Sequence, residues 1–321
     1  MKKILKYLGI LIAIVVLGAG AFALYINIDG IPTYPKLVKD PGITIKGDSA
    51  MLENGERLAS MLCVQCHLNR ETGVLTGQYM PDVAQFGKTY SANITQDKTY
   101  GIGARTDGEI LYLLRTGVKW NGDYLPPWMP KFVHMSDYDL QSVIWWLRSD
   151  DPRLKATPEA ATKSQPNFLA KFLTHVAFKP LPYPDLEITA PDTSDHVAYG
   201  KYIVQGKIEC WACHSASFKT LNIMEPGKTP GYMAGGNPIP NEEGKIIYSA
   251  NLTPDDSTGI GKWTEEEFVK ALRFGMRPDG TTNRYPMVPY SRMYDWEARA
   301  IFAYLKSLPP VHNPIQRTMN P

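Results

Sequence analysis

The four cysteines of this 321-residue chain all fall in two copies of one pentapeptide, Cys63-Val64-Gln65-Cys66-His67 and Cys210-Trp211-Ala212-Cys213-His214. Two thiols three positions apart, followed at once by an imidazole, suit covalent attachment of a porphyrin. The thiols form thioethers with its vinyl groups and the adjacent histidine faces the iron as axial ligand. The pattern therefore implies two covalently bound haem c groups. A zinc centre would need all four thiolates on one metal. It leaves each trailing histidine unexplained, and the two pairs are 147 residues apart. Disulfides or a thioredoxin-like redox pair do not call for a histidine after each pair. With no fifth cysteine, no thiolate remains as an axial ligand or nucleophile, which disfavours enzymes built on thiolate-ligated haem.

The motif supplies His67 and His214 as iron ligands, and the opposite ligand has to come from elsewhere. A thioether there raises the potential of the iron. Two methionine pairs recur at one spacing, Met129 with Met287 and Met135 with Met293. Met129 lies in Pro126-Pro127-Trp128-Met129-Pro130 and Met287 in Tyr285-Pro286-Met287-Val288-Pro289. Proline restricts the backbone of such loops and lowers the ordering cost of holding a ligand. Met129 and Met287 are therefore the expected sixth ligands. Met135 and Met293 precede a helix and read as core filler, as do Met51, Met61 and Met276. His134 would be a conceivable ligand, but its counterpart in the repeat is Arg292. His175, His196 and His312 read as surface or capping residues. Arg115 and Arg273 suit either a haem propionate or a helix C-terminus. Asn93 and Asn251 suit a propionate, a methionine sulfur or an Asx turn.

The elements that must position these residues repeat. Ser91–Gly103 (SANITQDKTYGIG) matches Ser249–Gly261 (SANLTPDDSTGIG) at an offset of 158, which also pairs Thr106, Glu109, Arg115, Gly117 and Asp137 with Thr264, Glu267, Arg273, Gly275 and Asp295. The haem motifs are offset by only 147, so the second copy carries an 11-residue insertion, expected around 223–246. Each copy reads as a few short helices. One approaches the motif, near 49–62 and 194–205. A second starts at a capping box, Thr106-x-x-Glu109 or Thr264-x-x-Glu267, and stops at Gly117 or Gly275. A third starts with Asp137 or Asp295 as N-cap. Its apolar residues follow the i, i+3, i+4, i+7 pattern: Leu140, Val143, Ile144 and Leu147, matched by Ala298, Ile301, Phe302 and Leu305. Strands are not indicated. Residues 151–193 are rich in proline and read as a linker with one short helix near 167–178.

Lys2, Lys3 and Lys6 precede an uncharged run of 22 residues, Tyr7 to Ile28. As a helix it is about 33 Å long, enough for a hydrocarbon core of about 30 Å. By the positive-inside rule the lysines stay cytoplasmic and the rest lies on the outer side of the cytoplasmic membrane. Ala19-Gly20-Ala21 and Ala21-Phe22-Ala23 leave a cleaved signal peptide as the alternative. The formal net charge is +2, and without those three lysines the 32 acidic residues just outnumber the basic ones. No basic face suggests nucleic acid.

The expected fold is all-α, with two tandem cytochrome c domains, each a few short helices around one covalent haem, behind an N-terminal transmembrane helix. The expected segments are an anchor or signal at 1–30, domains at 46–150 and 194–311, the linker at 151–193 and a tail at 312–321. The order of Cys-x-x-Cys-His, SAN[IL]T, GIG, a capped helix ending Arg-x-Gly, a proline-flanked methionine and an Asp-initiated final helix resembles the multihaem cytochrome c subunits of bacterial membrane-bound alcohol and gluconate dehydrogenases. The resemblance spans roughly 46–150 and 194–311. It implies haem attachment at Cys63, Cys66, Cys210 and Cys213, and ligation by His67, Met129, His214 and Met287. It also implies electron flow from a dehydrogenase subunit towards quinone or an oxidase. Those subunits usually carry three haem domains and are not usually attached through an N-terminal helix, so the partner dehydrogenase does not follow from the resemblance.

Both irons closed by protein ligands describe an electron carrier rather than an enzyme. The expected role is a periplasmic-side, membrane-anchored carrier between a dehydrogenase or quinol oxidoreductase and a terminal acceptor such as an oxidase or soluble cytochrome. A dihaem cytochrome c peroxidase is the alternative, but it needs one iron that opens to peroxide, and both copies keep the same methionine loop. A haem-bearing subunit of a haem–copper oxidase is a further alternative.

Overall fold

The computed structural model describes residues 2–241 and 243–315. Met1 of the expected anchor and 316–321 of the expected tail lie outside the described residues. The chain is mainly helical. In order it forms α1 (Lys2–Asp29), α2 (Ser49–Leu62), α3 (Val64–His67), β1 (Gly87–Lys88), α4 (Asp107–Thr116), α5 (Asp137–Leu147), β2 (Gln165–Pro166), α6 (Phe168–Val176), α7 (His196–Tyr202), α8 (Cys210–Cys213), β3 (Pro238–Pro240), β4 (Ile246–Tyr248), α9 (Glu265–Phe274) and α10 (Asp295–Ser307). The short strands were not foreseen. They form two antiparallel pairs, β1 with β2 and β3 with β4. At two or three residues they are too short to show an alternating apolar pattern.

Among the described residues the chain forms two compact bodies. One gathers the chain up to Thr44 with Cys66–Lys131 and Asp150–Tyr183; the other gathers Ile45–Gln65, Phe132–Ser149 and the chain from Pro184 onward.

In the first body α4 is bounded as its sequence dictates. Thr106 Oγ1 accepts from Glu109 N, Glu109 Oε2 accepts from Thr106 N, and Gly117 ends the helix at φ 80°. The strand pair is followed by α6, which Asn167 caps by accepting from Ala170 N. α6 lies against the last turn of α1.

In the second body α9 repeats the device, with Thr264 and Glu267 at its start and Gly275 at φ 76°. Two helix pairs cross closely, α2 with α5 and α7 with α10. A Cβ on Gly55 would lie 1.9 Å from the Ser142 carbonyl oxygen, and one on Gly200 1.9 Å from that of Ala300. Only glycine permits these approaches. Gly55 and Gly200 are 145 residues apart, two fewer than the haem motifs. A π-helical turn, Ile203–Lys207, lies in the longer stretch and takes up one of the two extra residues. Such a turn widens a helix by one residue without breaking it.

Two boundaries differ from expectation. The final helices are capped at Ser136 and Tyr294, with Asp137 and Asp295 one position inside. Ser136 Oγ accepts from Asp139 N, and an acidic residue in the first turn is equally stabilised by the helix dipole. The 11-residue insertion lies between His214 and Gly235, overlapping only the first half of the expected 223–246. Gly77 N donates to His67 O and Gly235 N to His214 O, both at 2.9 Å, so the 158 offset is already established there.

Charged side chains tie the two helix pairs of the second body together. Arg57 of α2 donates to Glu297 of α10 at 2.5 Å, and Lys207 donates to the same carboxylate at 2.9 Å. Lys207 lies 3.3 Å from Asp139 of α5, which also accepts from Tyr202 at 2.5 Å and Asn54 at 2.8 Å. All four charged groups are at most 5 % exposed. Burial pushes the Asp139 carboxyl up, but Lys207, Tyr202 and Asn54 outweigh it and the net direction is down. Burial lowers the Lys207 ammonium, and Asp139 and Glu297 more than restore it.

Candidate haem-attachment sites

In the second body, α8 places Cys210 and Cys213 three residues apart on one helical face. His214 follows as its C-cap, and its ring is 7 % exposed. Its Nδ1 lies 2.8 Å from the carbonyl oxygen of Ala250. A carbonyl only accepts, so Nδ1 carries the hydrogen and Nε2 keeps its lone pair. Burial lowers the pKa of the ring, more than the carbonyl raises it, which favours the neutral imidazole that can bind a metal.

The first body shows the same arrangement. His67 is 6 % exposed and its Nδ1 lies 2.8 Å from the carbonyl oxygen of Ala92. Burial again lowers its pKa. Ala92 and Ala250 are the middle residues of the repeated Ser-Ala-Asn segment. Orienting the motif imidazole through a backbone carbonyl was not recognised in the sequence, because the alanine side chain carries no chemistry. Its signal was the recurrence of the segment.

The flanking residues fix that carbonyl. Ser91 Oγ donates to Cys66 O at 2.6 Å. Asn93 Oδ1 accepts from Thr95 N, and Asn251 Oδ1 from Thr253 N, both at 2.9 Å, which is the Asx turn. The asparagine NH2 groups are taken up by carbonyls of following segments: Glu159 O at 2.9 Å in one copy and Val311 O at 2.8 Å in the other.

The thiols are unbridged. Burial and Asp82 raise Cys66, and burial pushes Cys210 up to about 12. Cys213 is exposed, and desolvation by the surrounding protein, with Glu209, pushes its thiol up to about 11. Among the described residues no three His, Cys, Asp or Glu side chains gather as a metal site.

Met129 and Met287 occupy equivalent turns. Met129 N donates to Pro126 O at 3.1 Å and Met287 N to Arg284 O at 2.9 Å. Both are half-buried, whereas Met135 is 0 % and Met293 2 % exposed, enclosed in the apolar core. Met287, like Cys210, Ala212 and Tyr290, packs against the apolar core of the second body. Met276, read as packing, is 51 % exposed.

His134 Nε2 lies 2.7 Å from Ile223 O. Arg115 is fully buried in the last turn of α4, and Arg273 pairs with Asp295 at 3.3 Å. The buried Arg57, Lys207, Asp139 and Glu297 were not singled out. The recurrence of an acid at the third position of the last helix, Asp139 and Glu297, was their one visible sign.

No family model matches the chain. It is 30 % identical over 285 residues to the alcohol dehydrogenase (quinone) cytochrome c subunit of Gluconacetobacter polyoxogenes, covering 84 % of this chain and 58 % of that one. It is 29 % identical over 277 residues to the gluconate 2-dehydrogenase cytochrome c subunit of Pantoea cypripedii, covering 82 % and 60 %. A diheme cytochrome c-type protein of Cereibacter sphaeroides is 26 % identical over 267 residues, covering 78 % and 82 %. The chain thus resembles cytochrome c subunits of dehydrogenases over most of its length. It spans about 60 % of the length of these two dehydrogenase subunits.

Proposed function

We propose that this chain is a membrane-anchored dihaem c-type cytochrome. It passes single electrons between a dehydrogenase or quinol oxidoreductase and a terminal acceptor on the periplasmic side. The observation that carries this reading is the matched pair of Nδ1-to-carbonyl contacts, His67 with Ala92 and His214 with Ala250, both at 2.8 Å. An acceptor behind the ring fixes the tautomer and orientation of a ligating histidine. Two copies of that geometry, each directly after two unbridged thiols, support one haem per motif.

Cys63, Cys66, Cys210 and Cys213 are the attachment residues. His67 and Met129 are the ligand pair in the domain at 46–150, and His214 and Met287 in the domain at 194–311. When bound, haem supplies a one-electron iron couple whose potential a His–Met ligand set raises. The chain's own contribution is to aim Nε2, exclude water by burial and close the opposite face with a thioether, leaving no position for a substrate. α1 is long and apolar enough to cross a membrane. The dehydrogenase partner is inferred from the relatives, whose names describe subunits of dehydrogenases.

The test is a redox titration of the matured full-length chain followed by its visible spectrum. Two one-electron, low-spin transitions, with no peroxide turnover, are expected. A high-spin iron combined with enzyme-like reduction of peroxide would replace the carrier by a peroxidase.

A further inference from the structure

The helix inside the proline-rich segment is built inside out. α6 buries only Ala170 and Thr174, while Phe168, Leu169 and Val176 are 48 %, 45 % and 47 % exposed. On a helix of 3.6 residues per turn, Phe168, Leu169, Phe172, Leu173 and Val176 form one continuous apolar face. The rings of Phe168 and Phe172 stack at 6.1 Å on it. A helix whose small residues meet the protein and whose bulky ones face away has its apolar partner elsewhere.

Its position indicates that partner. α6 is bonded to the last turn of α1, where the apolar run ends. Lys171 Nζ donates to Asn27 Oδ1 at 2.9 Å, His175 Nε2 lies 3.0 Å from Asp29 Oδ2, and the His175 ring meets Tyr25 edge-on at 5.7 Å. Ile26 is fully buried. These contacts hold α6 at the level where α1 would leave the hydrocarbon. The stretch from Ala160 to Pro184 carries Lys163, Lys171 and Lys179 and no acidic residue, the charge that anionic headgroups attract.

We propose that α6 is a membrane-surface helix. It seats Phe168, Leu169, Phe172 and Val176 in the lipid interface beside α1, giving the first body a second contact with the bilayer. This rests on the reading of α1 as a membrane anchor. Interfacial helices of this kind bury their apolar face about 5–10 Å into the headgroup–acyl boundary. The segment is then part of the membrane attachment and not only a linker.

The full-length matured chain, reconstituted in phosphatidylethanolamine–phosphatidylglycerol bilayers, tests this by spin-label depth measurement. Single labels are placed at L169C, V176C, L11C on α1 and K155C as an aqueous reference. The expected result is that the L169C and V176C labels lose collisions with a water-soluble nickel chelate and gain collisions with oxygen relative to K155C. L11C should lie deeper still. If L11C reads the bilayer core but L169C and V176C match K155C, the α6 proposal falls and the anchor stands. If L11C itself reads water, the anchor reading fails and the proposal with it. Shielding of L169C and V176C from both reagents would mean a protein partner covers the face, which overturns the lipid assignment.

Discussion

The buried charge network of the second body makes a quantitative test of how the motif helices are held. Arg57 lies six residues before Cys63 and Lys207 three before Cys210, so their pairing with Glu297 and Asp139 bears on both helices leading to the cysteines. Two cations face two carboxylates. Glu297→Gln leaves Arg57 and Lys207 sharing Asp139, and Arg57→Met leaves one carboxylate in excess. Breaking a buried pair in this way costs about 3–5 kcal/mol. Independent sites would then sum to about 6–10 kcal/mol. The double variant restores charge balance, because Lys207 still lies 3.3 Å from Asp139. The side-chain amide oxygen that Glu297→Gln introduces can still accept from Tyr294 N, as the Glu297 carboxylate does at 3.1 Å. What remains lost is mainly one charge-assisted bond weakened to a neutral one, about 1–2 kcal/mol. Hydrogen exchange of α7 and α10 peptides reads this locally, without assuming that the whole chain unfolds in one step. Each single variant should exchange about 100- to 4,000-fold faster, and the double variant only about 5- to 30-fold. A double variant whose effect is the product of the single effects would refute the coupling.

Three further outcomes follow from the geometry. Gly200→Ala should destabilise the second body by more than the roughly 1 kcal/mol that alanine gains in a helix, because the new Cβ meets the Ala300 carbonyl oxygen at 1.9 Å; thermal unfolding checks this. Met129→Ala and Met287→Ala should each remove one haem's share of the weak red-end ferric band, and Met135→Ala should leave it intact, as absorption spectra will show. The network also sets a pH window. Asp139 titrates below its ordinary 3.8 in the folded chain, so its contribution is complete above about pH 4 and is lost as pH falls through the folded value. Lys207 titrates above 10.5, so its contribution is complete below about pH 10 and is lost as pH rises through the folded value. Denaturation midpoints should therefore show no slope from Asp139 or Lys207 between about pH 5 and 9, and Asp139→Asn should flatten its part of the acid limb.

Local signals made much of the structure legible. Thr106 and Glu109 cap a helix, and Gly117 ends it, because capping depends only on residues a turn apart. The final helices were readable from the spacing of Leu140, Val143, Ile144 and Leu147 and of their counterparts for the same reason. The short strands were not, since pairs such as Gly87 with Pro166 depend on contacts between distant residues. Nor was the π turn at 203–207, which lies between the Gly200 crossing and Cys210 and depends on how that helix packs. At the candidate sites, cysteine, histidine and methionine announced themselves by type. The carbonyl of Ala92 could not, because every residue has one and only the fold decides which is aimed at His67.

Counting covalent haem per chain probes the proposed function most directly. Full-length protein matured in cells able to assemble c-type cytochromes should exceed the polypeptide mass by two haem groups. Cys63→Ser with Cys66→Ser, or Cys210→Ser with Cys213→Ser, should each lower the count to one, with haem staining after denaturing electrophoresis following suit. A mature chain that carries one haem or none, or that keeps both after loss of either cysteine pair, would contradict a dihaem cytochrome built on these two motifs.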